Sequence, residues 1–101
     1  MFPYFVFMKN EIIEVLRKNK EDLFNKYSLK SMALFGSYSR GNEDSDSDVD
    51  ILVELNGIMG FKFLHLNYEI ENLLKRKVDL VSKRGLKQAF INQIEPELMY
   101  V

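Results

Sequence analysis

Apolar positions along the chain fall into alternating helical and extended blocks. From Lys9 to Tyr27, Ile12, Ile13, Leu16, Leu23, Phe24 and Tyr27 recur at the spacing of one helix face, and the pattern predicts a single helix. Lys30–Phe35 is a short apolar run stopped by Gly36, and Val49–Leu55 is rich in aliphatic and β-branched residues; both read as strands. Between them Gly41–Ser47 is polar and turn-like, and Asn56–Gly60, with two glycines, breaks the pattern again. Helical spacing returns over Phe61–Arg76, with Phe63, Leu66, Ile70, Leu73 and Leu74 on one side. Lys77–Ser82 predicts a third strand. Leu86, Phe90 and Ile94 predict a last helix, running to about Glu95 and ended by Pro96. The expected fold is therefore mixed α+β: a small mixed sheet of about three strands with helices packed on it.

Composition narrows this only slightly. The chain has 101 residues, room for one small domain, taken as residues 8–101. Residues 1–7 form an apolar stretch too short to span a bilayer, with no basic residue before it, and are read as a loose tail or an alternative start. There is no cysteine, so neither a disulfide nor a thiolate metal site can form, and a cytoplasmic, reducing setting suits the chain. One histidine, His65, excludes a multi-histidine zinc site and is expected partly buried and neutral. A net charge of −1 offers no track for a nucleic-acid backbone. The aromatics Phe61, Phe63, Tyr68 and Phe90 lie at helical spacing and are assigned to the core.

Candidate chemistry concentrates between Gly36 and Asp50. Asp48 and Asp50 sit two apart at the start of a strand, so their carboxylates project from one face, roughly 7 Å apart along the backbone. Aspartate is disfavoured in strands, and paired carboxylates repel unless something neutralises them. Divalent cations with oxygen ligands are the natural partner, and Mg²⁺ held by carboxylates plus substrate phosphates fits. Asp79 lies in the next apolar strand; if the strands are neighbours it stands about 5 Å to the side. Alone, Asp79 reads equally as an edge-strand charge that discourages aggregation. Gly36-Ser37 ends a strand with a small residue and a hydroxyl, and backbone N–H groups at such a turn favour phosphate. Arg40 is open between a phosphate contact and a structural ion pair. Two metal ions facing such a turn would suit in-line attack on an α-phosphorus.

The bland alternatives are a solvated loop or a calcium loop beginning at Asp44. The second fails, because its sixth and twelfth positions would be Val49 and Leu55 where glycine and glutamate are needed. Glu43, Asp44 and Asp46 are assigned to loop solvation.

Gly36-Ser37, ten intervening residues, then Asp48-Val49-Asp50 resembles the signature of the polymerase-β-like nucleotidyltransferases. GSYSRGNEDSDSDVDILVEL followed by KVDLV is similar to their minimal members, the MNT-type antitoxins of HEPN/MNT toxin–antitoxin systems. The resemblance covers nearly the whole chain from Met8. It implies that Gly36 and Ser37, with Arg40, bind the triphosphate of ATP, that Asp48 and Asp50 hold two Mg²⁺ ions, and that Asp79, the third carboxylate, orients or deprotonates the attacking hydroxyl. Ser39 departs from the small apolar residue usual before the arginine, at a position expected to pack rather than react. The resemblance further implies transfer of AMP to a tyrosine of a HEPN toxin, within a hetero-oligomer. A binding-only antitoxin and a transferase for a small acceptor are the alternatives. The intact acidic set favours activity, since a mere binder has no use for three repelling carboxylates.

Overall fold

The computed structural model describes residues 9–41, 47–58 and 60–101. The proposed tail, residues 1–7, and the loop acids Glu43, Asp44 and Asp46 lie outside the described residues.

The first predicted helix is two: α1 (Lys9–Lys18) and α2 (Lys20–Tyr27). Asn19 separates them. Its side-chain amide donates to the Val15 carbonyl at 2.8 Å and its backbone N–H bonds to Leu16 O at 3.2 Å. A short polar side chain that takes over a helix carbonyl in this way competes with the regular ladder, and periodicity alone does not register it. The apolar stripe survives the break because Leu16 and Leu23 stay in phase, and Ile12, Leu16 and Leu23 are fully buried.

β1 (Leu29–Phe35) leads through Gly36 into a single turn of helix, α3 (Ser37–Arg40). β2 (Val49–Leu55), α4 (Phe61–Leu74) and β3 (Val78–Ser82) follow, then a 3₁₀ turn over Lys83–Gly85 and α5 (Gln88–Ile94). A second 3₁₀ turn, Glu95–Glu97, leads to β4 (Met99–Tyr100). The sheet has four strands in the order β3-β2-β1-β4, one more than expected. β1 runs antiparallel to both neighbours, while β2 and β3, joined by the crossover helix α4, are parallel. A two-residue strand beyond a proline shows no period, so nothing in the pattern announced β4.

One face of the sheet is sealed. Met32, Leu34, Val49, Ile51, Val53 and Leu80 pack there against Ile12, Leu16 and Leu23 and against Leu66, Ile70 and Leu74 of α4. Burying each such side chain contributes about 1.5–3 kcal/mol, and this face carries most of the apolar burial. The opposite face holds a smaller cluster, Phe35 and Leu52 with Ile94, flanked by Val81, Leu86 and Leu98. Phe90 meets Phe35 edge-on, with ring centroids 6.4 Å apart.

Three core assignments need correction. Phe61 is 86% exposed, Tyr68 56% and Phe90 38%, while Phe63 alone of the four packs against the main core. His65 is exposed as well. On α4 the residues Phe61, Leu64 and Tyr68 make a second apolar stripe beside Leu66, Ile70 and Leu74, and spacing cannot say which stripe meets the sheet.

Candidate active site

The strand register assembles the acids. Asp50 of β2 pairs with Phe35 on one side and with Asp79 on the other, so Phe35, Asp50 and Asp79 form one row across three strands. In-register neighbours point to the same face, about 5 Å apart, and Asp48, two residues before Asp50, shares it. This is the less covered face. Asp48 and Asp79 are exposed and Asp50 is half-buried. β3 is an edge strand, so the edge-charge reading of Asp79 also holds, but the register places its carboxylate beside Asp50 rather than alone.

Asp50 bears the electrostatic load. Burial first, then the charges of Asp79 and Asp48, push its carboxyl up from the ordinary range to about 6, with Arg40 pulling the other way. The donor set is oxygen only, carboxylates acting on one another, which is the ligand chemistry of a hard divalent cation. Among the described residues no three acidic or imidazole groups close into a ready-made metal cage.

Gly36 is required by the same arrangement. Its φ is +79°, where side chains are strained, and a Cβ built on it would come within 2.0 Å of Asp50 Oδ2. The Gly-Ser bend is therefore pressed directly against the acidic row. Ser37 starts α3, where the first backbone N–H groups lack intrahelical partners. Arg40 closes that turn, its N–H bonded to Gly36 O at 3.0 Å. Its guanidinium lies 3.1 and 3.2 Å from the two carboxylate oxygens of Glu97, so the ion-pair reading of Arg40 is realised, while half of its side chain stays exposed. Ser39 is buried and its hydroxyl donates to the Glu97 carbonyl, a packing and bonding role in line with expectation.

Two residues of this neighbourhood escaped the sequence reading. Arg76 donates to the Ser47 carbonyl at 3.2 Å and its guanidinium stands 5.7 Å from the centre of the buried Tyr38 ring, tying the approach to Asp48 down onto α3. Glu97 contacts Gly36 and Arg40 from the C-terminal segment. No local signal marks either: one is a basic residue after a helix, the other a glutamate after a proline. A partly open hollow of about 400 Å³, lined by Tyr27, Ser28, Asn56, Ile58, Phe61 and Lys62, lies at the opposite end of β1 and β2 from the acids.

Comparison with known proteins gives the family. The family model described as "Nucleotidyltransferase domain" matches residues 11–101. A Methanocaldococcus jannaschii protein, provisionally named a protein adenylyltransferase, is 44% identical over 96 residues, covering 91% of this chain and 96% of that protein. A toxin–antitoxin crystal structure with AMP-PNP superimposes with a TM-score of 0.67 at 28% identity, over 93% of this chain and 72% of that one. A structure of a tri-AMPylated HEPN toxin from Shewanella oneidensis in complex with an MNT antitoxin gives a TM-score of 0.59 at 28% identity, over 91% and 66%. With its acidic row, its Gly-Ser bend and a family match across nine-tenths of its length, the chain belongs to the nucleotidyltransferase domain family.

Proposed function

We propose that the protein is an antitoxin that transfers AMP from ATP to a hydroxyl, a tyrosine by the family resemblance, on a HEPN-domain toxin and thereby silences it. The observation that carries the reading is the contact between the two halves of the site: Asp50, in register with Asp79, has its carboxylate against the backbone of Gly36. A triphosphate laid on the Gly36-Ser37 bend would meet the acids without further movement of the strands.

In this reading Gly36 and Ser37 bind the phosphates through backbone N–H groups and the hydroxyl, and Arg40 adds positive charge. Asp48, Asp50 and Asp79 would hold two Mg²⁺ ions, coordination being completed by phosphate oxygens and water. When bound, such ions offset charge on the attacking and leaving oxygens of an in-line displacement. Asp79, exposed and on the edge strand, is the acid best placed to orient the incoming hydroxyl and accept its proton. The acceptor approaches from the side of Asp48 and Asp79, both exposed, with Asp79 on the edge strand. A protein partner presenting that hydroxyl fits such a site, and the toxin–antitoxin complexes among the structural neighbours support it. None of the helices among the described residues is long and apolar enough to cross a membrane, and we place the protein in the cytoplasm with its partner.

The test uses labelled ATP, Mg²⁺ and a candidate HEPN-domain toxin from the same genome. Label should pass to the toxin with the wild-type protein and not with Asp48→Asn/Asp50→Asn. Toxin neutralisation that persists without any transfer would replace the enzyme by a binding-only antitoxin.

A further inference from the structure

Glu97 binds the Gly36–Arg40 turn at three points: Gly36 N–H, the Ser39 hydroxyl and the Arg40 guanidinium. The backbone of β1 shows why. Val101 N–H bonds to Met32 O at 2.9 Å, and Ala33 and Leu34 pair with Tyr100 and Met99, so this edge of β1 faces the C-terminal segment. Alternation along the strand turns the Gly36 N–H to the same edge. There the pairing strand has already ended, because the chain turns in the 3₁₀ bend of Glu95–Glu97. The Glu97 carboxylate takes the vacated position and accepts the Gly36 N–H at 2.7 Å. The same carboxylate holds Arg40, and the Glu97 carbonyl accepts the Ser39 hydroxyl. One residue thus binds the start, middle and end of the turn. Its side chain is only 20% exposed, so these charge-assisted bonds are poorly screened.

We propose that Glu97 is a positioning residue for nucleotide binding, fixing the Gly36–Arg40 turn and holding the Arg40 guanidinium where a phosphate can share it. The inference rests on the reading of that turn as the triphosphate site. A guanidinium has five N–H donors, and the bonds to Glu97 involve Nη1 only, so further donors remain for a second anion. Without Glu97 the Arg40 guanidinium would be free to turn to the acidic row, whose Asp50 already feels its charge. Drawn there, Arg40 would leave the phosphates and oppose cation binding together.

Binding of Mg·AMP-PNP by calorimetry, with AMP transfer run in parallel, separates the possibilities. Glu97→Gln keeps the size and an acceptor for Gly36 N–H but loses the charge that holds Arg40. It should weaken AMP-PNP binding about tenfold and raise KM for ATP with kcat nearly unchanged, as loss of uniform binding does. Arg40→Gln should weaken binding at least as much, and the double variant no more than Arg40→Gln alone, because one residue acts through the other. Glu97→Asp, one methylene shorter, should fall between Gln and wild type. Unchanged affinity in Glu97→Gln beside a clear loss in Arg40→Gln would make Glu97 a mere strut and overturn the proposal; so would tighter binding, which would mark its carboxylate as a competitor of phosphate. If Arg40→Gln also binds normally, the assignment of the turn to the triphosphate fails with it.

Discussion

The two faces of the sheet each carry a carboxylate in a network, and the two networks shift it in opposite directions. On the helix-sealed side, Glu69 of α4 accepts the Tyr27 hydroxyl at 2.7 Å and a Lys26 ammonium at 3.1 Å, and these bonds, the tyrosine's first, hold its carboxyl below the usual range. On the other side Asp50 is raised to about 6 by burial and by two more acids. Glu69 has what a carboxylate needs from its own chain; Asp50 does not. On the proposed reading, a site that receives cations and phosphates is left electrostatically incomplete, and the cost falls on stability rather than on the sealed core. The asymmetry follows from coverage. Three helices, α1, α2 and α4, bury one face, whereas α5 covers only the apolar part of the other and leaves the acids at its margin.

The largest effect should come from removing the incomplete carboxylate. Asp50→Asn is expected to lower AMP transfer by at least about three orders of magnitude, roughly 4 kcal/mol of transition-state stabilisation. The same substitution should stabilise the apo protein, by about 1–2 kcal/mol once the shift is discounted for solvent screening. Paired kinetics and urea denaturation would show loss and gain in one variant; a loss of both would place Asp50 among structural residues. The sealed face should answer the other way. Leu66→Ala, at a fully buried position, should cost about 2–5 kcal/mol of stability while leaving kcat per folded molecule near wild type.

The pH dependence of stability sharpens the contrast further. A carboxyl whose pKa rises on folding binds its proton more tightly in the native state. Apo stability from Asp50 is therefore highest below about pH 4 and falls as pH rises through about 6. Glu69, with a lowered pKa, works in reverse, and its contribution is lost as pH drops below the ordinary glutamate range. The difference between wild type and Asp50→Asn across pH 4–7 isolates the first, and saturating Mg·ATP should flatten it. The smallest effect belongs to the outer stripe of α4: Phe61→Ser, 86% exposed, should move thermal stability by no more than about 0.5 kcal/mol. A drop of several degrees would show that this stripe is covered.

Much of the site was legible in the chain. Gly36, Ser37, Asp48 and Asp50 stand within fifteen residues, and their types and period carry the chemistry locally: a bend free of side chain, then two acids on one strand face. That α4 is a helix carrying Leu66, Ile70 and Leu74 at one spacing was legible for the same reason. What failed was any property that needed a partner from elsewhere. Spacing could not choose between the two stripes of α4, could not see Asn19 capture a helix carbonyl, and gave no hint that two residues past Pro96 would complete the sheet.

Local sequence determined most of the elements, their main apolar stripes and the acidic pair, because periodicity and backbone preference act over a few residues. Tertiary structure alone decided that Asp79 joins Asp50, through the parallel register of β2 and β3, and that Glu97 returns to hold Gly36 and Arg40. Those contacts span 29, 61 and 57 positions of chain. They exist only once closure of the intervening loops has been offset by the sealed core, a condition that no short window of residues can express.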